Sequence, residues 1–224
     1  MSNNVLSLKE RLTEIVDISY RVLCNKIVSQ SINIPNEASL QLQLGVILKQ
    51  VGQLYEFSTE DRFRIQLEDV QDINATQKSK NGKARCDIML TLENGVDKST
   101  VAIELKHFKK ASKNSSSETI TDNRFSIWCD LENLENYKEV FGQKNQELIG
   151  YEILYTNNPN YAVYKITGLN PPQATINSSV NTTTDGSSIN SVRLENRNIV
   201  IYITIEGDVE ANRIRLYKYF PVKK

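Results

Sequence analysis

Apolar residues recur at helical spacing in two N-terminal stretches and at strand spacing through most of the remaining chain. In residues 4–30, Val5, Leu8, Leu12, Ile15, Val22 and Ile27 fall near a helical period with charged residues between them, which predicts an amphipathic helix. Ile34-Pro35-Asn36 interrupts the pattern. A second helix is predicted from Glu37 to about Leu54, with Asn36 as its N-cap and Leu40, Leu44, Ile47, Leu48 and Val51 as its stripe. Glu37 lies one turn before Leu40 and extends that stripe. Phe57 to Val70 reads as a strand, and Gln77 to Lys83, containing Asn81-Gly82, as a turn. Ala84 to Leu92 and Ser99 to Phe108 are two further strands, and Glu93-Asn94-Gly95 between them predicts a hairpin.

The second half is less regular. Ala111 to Asn123 is rich in Ser, Lys and Asn and reads as an exposed loop. Leu131, Leu134 and Tyr137 or Lys138 suggest a short helix around 130–141, followed by a strand from Leu148 to Tyr155. Asn170 to Asn190 is too poor in large apolar residues to pack and reads as a long polar loop. Asn198 to Glu206 and Arg213 to Val222 close the chain as two strands. There is no internal repeat. The pattern predicts one α+β or mixed α/β domain over 1–224, with a core of about 35–156 and C-terminal strands within 198–222.

Composition narrows the chemistry. Hydrophobic residues at 39% and charged residues at 24% fit an ordinary globular chain. No apolar run could span a bilayer, and Met1 to Glu10 lack the basic patch and apolar core of a signal peptide, so a cytoplasmic location and no membrane partner are expected. Cys24, Cys86 and Cys129 form no Cys-x-x-Cys pair and read as reduced thiols. His107 is the sole histidine, which excludes His-Glu-x-x-His zinc sites and paired-histidine nucleases. A Ser-His-Asp triad would have to use His107, and no Gly-x-Ser-x-Gly elbow accompanies it. Neither a Walker loop nor Gly-x-Gly-x-x-Gly occurs. Net charge is zero, so any nucleic-acid contact must come from a local patch. Residues 78–113 provide one, with nine Lys and Arg against four Asp and Glu.

Two acids stand out because strands disfavour them. In Val101-Ala102-Ile103-Glu104-Leu105-Lys106, alternation puts Val101, Ile103 and Leu105 on a core face, and Ala102, Glu104 and Lys106 together on the other. Asp87 sits inside Cys86-Asp87-Ile88-Met89-Leu90, where propensity and desolvation both oppose it. Hairpin pairing can bring Asp87 and Glu104 together. Two close carboxylates repel and favour a hard divalent cation, which takes oxygen ligands and keeps several waters. Such an ion activates water and neutralises charge on a phosphoryl group, while a neighbouring lysine holds a phosphate oxygen or orients the water.

Asp87 followed by Glu104-Leu105-Lys106 at the end of the next strand resembles the PD-(D/E)xK superfamily, the fold of many restriction endonucleases. The similarity covers about residues 35–110, with the helix near 130–141 and the strand near 148–155 in the expected order. Cys86 stands where the motif's name has proline, a variable position, and the C-terminal third matches nothing in the family pattern. The resemblance implies a mixed central β-sheet flanked by helices, with Asp87 and Glu104 as metal ligands and Lys106 supporting the attacking water. It also implies that Glu37, in the place of the family's helix glutamate, binds the metal directly or through water.

The expected activity is magnesium-dependent DNA phosphodiester hydrolysis, with manganese as a substitute. A type II restriction endonuclease is the leading reading: a homodimer on double-stranded DNA, with a cognate DNA methyltransferase in the same system. Gln41, Lys83, Arg85, Lys109 and Lys110 are candidate nucleic-acid contacts, and Tyr217-Lys218-Tyr219 interleaves aromatic and basic residues as such surfaces do. His107 faces away from Lys106 and reads as packing or surface. Two alternatives stay open on sequence: a repair, recombination or phage-processing nuclease of the same fold, and a non-catalytic DNA-binding protein with a remnant site.

Overall fold

Two helices precede six strands. The computed structural model describes residues 6–72, 83–108, 126–127, 130–131, 133–134, 137, 147–156, 199–205 and 215–219. The elements are α1 (Leu8–Val28), α2 (Glu37–Gln53), β1 (Asp61–Asp72), β2 (Lys83–Asn94), β3 (Asp97–Phe108), β4 (Glu147–Thr156), β5 (Ile199–Ile205) and β6 (Arg215–Tyr219). Between β3 and β4, Ser126, Ile127, Asp130, Leu131, Asn133, Leu134 and Tyr137 are helical. The strands form one mixed sheet in the order β1-β2-β3-β4-β5-β6. β2 runs antiparallel to both β1 and β3, β4 and β5 run parallel to β3, and β6 turns back antiparallel. The fold is therefore mixed α+β. No described helix is long and apolar enough to cross a membrane.

Each boundary has a local cause. Ser7 and Glu10 close a reciprocal capping box that starts α1 inside the predicted range. The buried face of α1 is Leu12, Ile15, Val16, Tyr20, Leu23 and Cys24; Val22 and Ile27, predicted in its stripe, are only half-buried. Asn36 caps α2 by accepting the Ser39 N–H at 2.9 Å, as its position suggests. The hairpin turn uses Gly95 at φ 58°, a conformation that glycine adopts without strain. At Gly52 a Cβ would come within 2.2 Å of the Phe63 ring, so this glycine lets β1 lie close against α2.

β1 begins at Asp61, not at Phe57 as the sequence suggests, because Asp61 folds the preceding residues into a turn. Its Oδ2 accepts the N–H groups of Phe57 at 2.7 Å and Ser58 at 2.9 Å. It also accepts Arg11 Nη1 at 2.8 Å, and Oδ1 accepts Asn94 Nδ2 at 2.7 Å. Arg11 in turn donates to the Tyr55 carbonyl at 2.9 Å. One buried ion pair thus ties α1, the α2–β1 turn and the β2 end of the hairpin together. Arg11, with its neighbours, holds the Asp61 carboxyl well below the ordinary range. That contribution is present above the ordinary aspartate value of 3.8 and is lost as the pH falls below it. Asp61→Ala leaves the Arg11 charge buried without compensation, and a loss of roughly 3–5 kcal/mol is expected, read as a lower urea midpoint. A midpoint within experimental error of wild type would show that the pair does not organise the turn.

The sheet has two covered faces. On one, Ile88, Leu90 and Leu92, then Val101, Ile103 and Leu105, then Ile149, Tyr151, Ile153 and Tyr155 pack against α1 and α2. On the other, Glu104 and Lys106 bond to Tyr137 and Asp130, so the helical residues before β4 cover that side. β3 is consequently buried on both faces from Ser99 to Leu105. The side predicted to carry only Ala102, Glu104 and Lys106 away from the core is itself enclosed.

Candidate active site

The site lies where β2 parts from β3. The β2–β3 ladder stops at Ile88–Ile103, although both strands continue and β3 stays paired with β4 out to Phe108–Thr156. On the other side, the β1–β2 ladder omits the pair Glu68–Asp87, because Glu68 adopts a left-handed φ of 54° that a glutamate occupies only under strain. Asp87 thus sits at a break on both sides of its strand.

Side chains fill the hydrogen bonds that the ladder gives up. The Asp87 carboxylate accepts the Leu105 N–H at 2.7 Å. The Cys86 thiol donates to the Ile88 carbonyl at 3.2 Å and to Ile103 at 3.6 Å. Glu37, first residue of α2, accepts the His107 N–H at 3.3 Å. Gln41, one turn on, donates to the Asp87 carbonyl at 2.8 Å and to Glu68 at 3.0 Å. Backbone groups that leave a ladder need other partners, and here the Asp87 and Glu37 carboxylates supply two of them. The N-terminus of α2 is thereby anchored at the parting of β2 and β3, with Glu37 and Asp87 along the freed edge of β3.

The opposite face supplies the other carboxylates. Glu104 is buried, and Tyr137 donates to its Oε1 at 3.1 Å. Lys106 Nζ lies 2.6 Å from Asp130 Oδ2 and donates to the Leu105 carbonyl at 2.9 Å. Glu152 stands in register with Glu104 on β4 and is fully buried. Burial raises the Asp87 carboxyl to about 6; the Leu105 N–H and Lys106 oppose this, while Glu37 and Asp130 reinforce it. Burial, then Asp130, Asp87 and Glu152, pushes Glu104 well above the ordinary range. For Lys106, burial alone would favour the neutral amine, but Asp130, Glu152 and Glu37 outweigh it and keep the ammonium charged.

Asp87 favours its proton more in the folded chain than in the unfolded one. Its effect on stability therefore runs opposite to that of Asp61: the folded protein gains below the ordinary value of 3.8 and loses as the pH rises through about 6. The full loss is on the order of 3 kcal/mol. Without metal, the thermal midpoint of wild type should fall relative to that of Asp87→Asn as the pH rises from about 4 to about 7. Parallel midpoints for the two proteins across that range would refute the assignment.

The structure gathers Asp87, Glu104, Lys106, Glu37 and Gln41 at one place. Gln41 spends its amide on Asp87 and Glu68, so it supports the site from within. Arg85 is exposed, with its guanidinium 3.8 Å from Glu68, and Lys83 pairs through its backbone with Asp72. Lys109, Lys110, Trp128, Cys129 and the polar segments 111–123 and 170–190 lie outside the described residues, as does the turn at 77–82. His107 has a packing role, as predicted, with Nε2 3.0 Å from the Ile34 carbonyl and its ring stacked on Tyr155. Asp130, Tyr137 and Glu152 were not singled out by sequence. Glu152 carries the signal that marks Asp87, an isolated acid in an apolar strand, and was legible on that ground.

The Asp87 and Glu104 carboxylates offer oxygen donors alone. Among the described residues, no three His, Cys, Asp or Glu side chains form a group that could hold a metal ion. Magnesium commonly binds through one or two carboxylates and retains water. Asp87 and Glu104 could supply the two carboxylates of such a site, and no third direct carboxylate joins them among the described residues. The chain matches no protein-family model, no curated protein and no solved structure.

Proposed function

We propose that the chain is a magnesium-dependent endonuclease of the PD-(D/E)xK kind that hydrolyses DNA phosphodiester bonds, as a type II restriction endonuclease does. The observation that carries this reading is the parting of β2 and β3, which puts Asp87 beside the Glu104-Leu105-Lys106 run with the α2 N-terminus against the gap. The order of elements supports a restriction-endonuclease-like core: a helix, three antiparallel strands, helical residues, then a strand parallel to the third. A divalent cation bound at Asp87 and Glu104 would supply an activated water and positive charge at the phosphoryl group. Lys106, kept charged, donates from Nζ to a phosphate oxygen or to the water. Glu37 and Gln41 keep the gap open by bonding to the strands that border it. In the net reaction a water oxygen joins phosphorus, one ester P–O bond breaks, and the departing oxygen ends protonated.

One observation favours a second reading. Lys106 is closed into an ion pair with Asp130, as in a structural charge cluster of a DNA-binding protein without catalysis. Incubation with mixed plasmid DNA separates the two. Discrete fragments in magnesium or manganese mean restriction, a smear means a nuclease of repair or processing type, and intact DNA supports the second reading. In calcium, binding without cleavage is expected, because the larger ion has looser geometry and activates water less well. Brisk cleavage in calcium, or full activity in excess EDTA, would exclude a magnesium site.

A further inference from the structure

Beyond Asp87, Glu104 and Lys106, the helical residues before β4 address the reacting groups directly. Ile127, Asp130, Leu131, Leu134 and Tyr137 are all buried, at spacings that put them on one helical face. Three of them are aliphatic. The other two are polar, and each meets one candidate reacting side chain: Tyr137 donates to Glu104 at 3.1 Å, and Asp130 meets Lys106 Nζ at 2.6 Å. Packing needs neither contact. A lysine has four rotatable bonds in its stem, and at a half-buried position its ammonium must be held to act on one phosphate oxygen. Asp130 is 2% exposed and Lys106 12%, so the carboxylate holds the ammonium from the enclosed side; with a second donor on the Leu105 carbonyl, one donor of Nζ remains.

We propose that Asp130 is a positioning residue for phosphodiester hydrolysis, which fixes the direction of the Lys106 ammonium toward the phosphate while the Tyr137 contact fixes the helical face that carries it. This rests on the nuclease reading. Asp130 touches no substrate and acts through Lys106 alone, so its removal should matter only while Lys106 is present.

The test is a double-mutant cycle on the full chain, with plasmid DNA and magnesium. Asp130→Asn should lower kcat on the order of tenfold or more with KM for DNA little changed. In a Lys106→Ala background the same change should lower kcat no further. Asp130→Glu keeps the charge one methylene away and should recover part of the rate; it also carries the test if the asparagine variant does not fold. A readout independent of activity is the lysine Nζ signal in nitrogen-15 NMR. A protected ammonium signal from Lys106, present in wild type and absent in Asp130→Asn, supports the geometry. An equal fall in both backgrounds, or an unchanged kcat for both Asp130 variants, overturns the positioning role and leaves the nuclease reading standing. A wild-type chain with the protected signal that cleaves no DNA in magnesium or manganese removes the nuclease reading, and the positioning role with it.

Discussion

Replacing either Asp87 or Glu104 by its amide should eliminate DNA cleavage, by on the order of a thousandfold or more, in a protein that still folds. Asp87→Asn and Glu104→Gln keep shape and hydrogen bonding but remove the charge a cation requires. The amide is the better choice at Asp87, because alanine would strand the Leu105 N–H that its carboxylate accepts. At Glu104 the glutamine can still accept from Tyr137. Both carboxyls are raised in the folded chain by burial and by neighbouring acids. Each amide should therefore stabilise the metal-free protein at neutral pH while it removes activity. That opposite movement separates a functional site from a structural one, since a residue kept for packing loses stability when altered. Wild-type cleavage by either variant would show the site to be misassigned. Lower stability together with unchanged activity would favour the charge-cluster reading.

Lys106→Arg and Lys106→Ala should both lose cleavage by on the order of a hundredfold. The arginine variant is the sharper test because it keeps the charge. A guanidinium can pair with Asp130 as well as an ammonium does, so the balance against Asp130, Glu152 and Glu37 survives. What it lacks is a compact group of three rotatable donors, and it is longer and planar in a site where Lys106 is only 12% exposed. Water positioning should therefore fail while metal binding persists. Calorimetry should find magnesium affinity little changed in the arginine variant. Near-normal cleavage by Lys106→Arg would reduce Lys106 to a counter-ion and weaken the proposed family assignment as a whole.

Much of the architecture was legible because it depends on short-range periodicity. The helical stripe from Leu40 to Leu48, the cap at Asn36, the hairpin closed at Gly95 and the alternation in β3 all obey rules spanning a few residues. Boundaries that depend on distant partners were not legible. Phe57 reads as the start of a strand, but the Asp61 carboxylate, paired with Arg11 fifty residues earlier in the chain, folds it into a turn. The buried face of α1 shifts toward Tyr20 and Leu23 because the sheet it packs on, and not its own periodicity, decides which stripe is enclosed.

The candidate site divides in the same way. Sequence by itself determined that Asp87, Glu104 and Lys106 stand on adjacent strands with the acid and the lysine on one face, because a strand alternates and an isolated acid in an apolar run is costly. It determined that Glu37 begins a helix. Only the tertiary structure decided that β2 and β3 part just beyond Ile88 and Ile103, that Glu37 and Gln41 reach into that parting, and that Asp130, Tyr137 and Glu152 close the other side. The reason is physical. Which backbone groups a ladder leaves unpaired, and which charges are thereby drawn out of water, depends on elements far apart in the chain, and a local pattern carries no record of them.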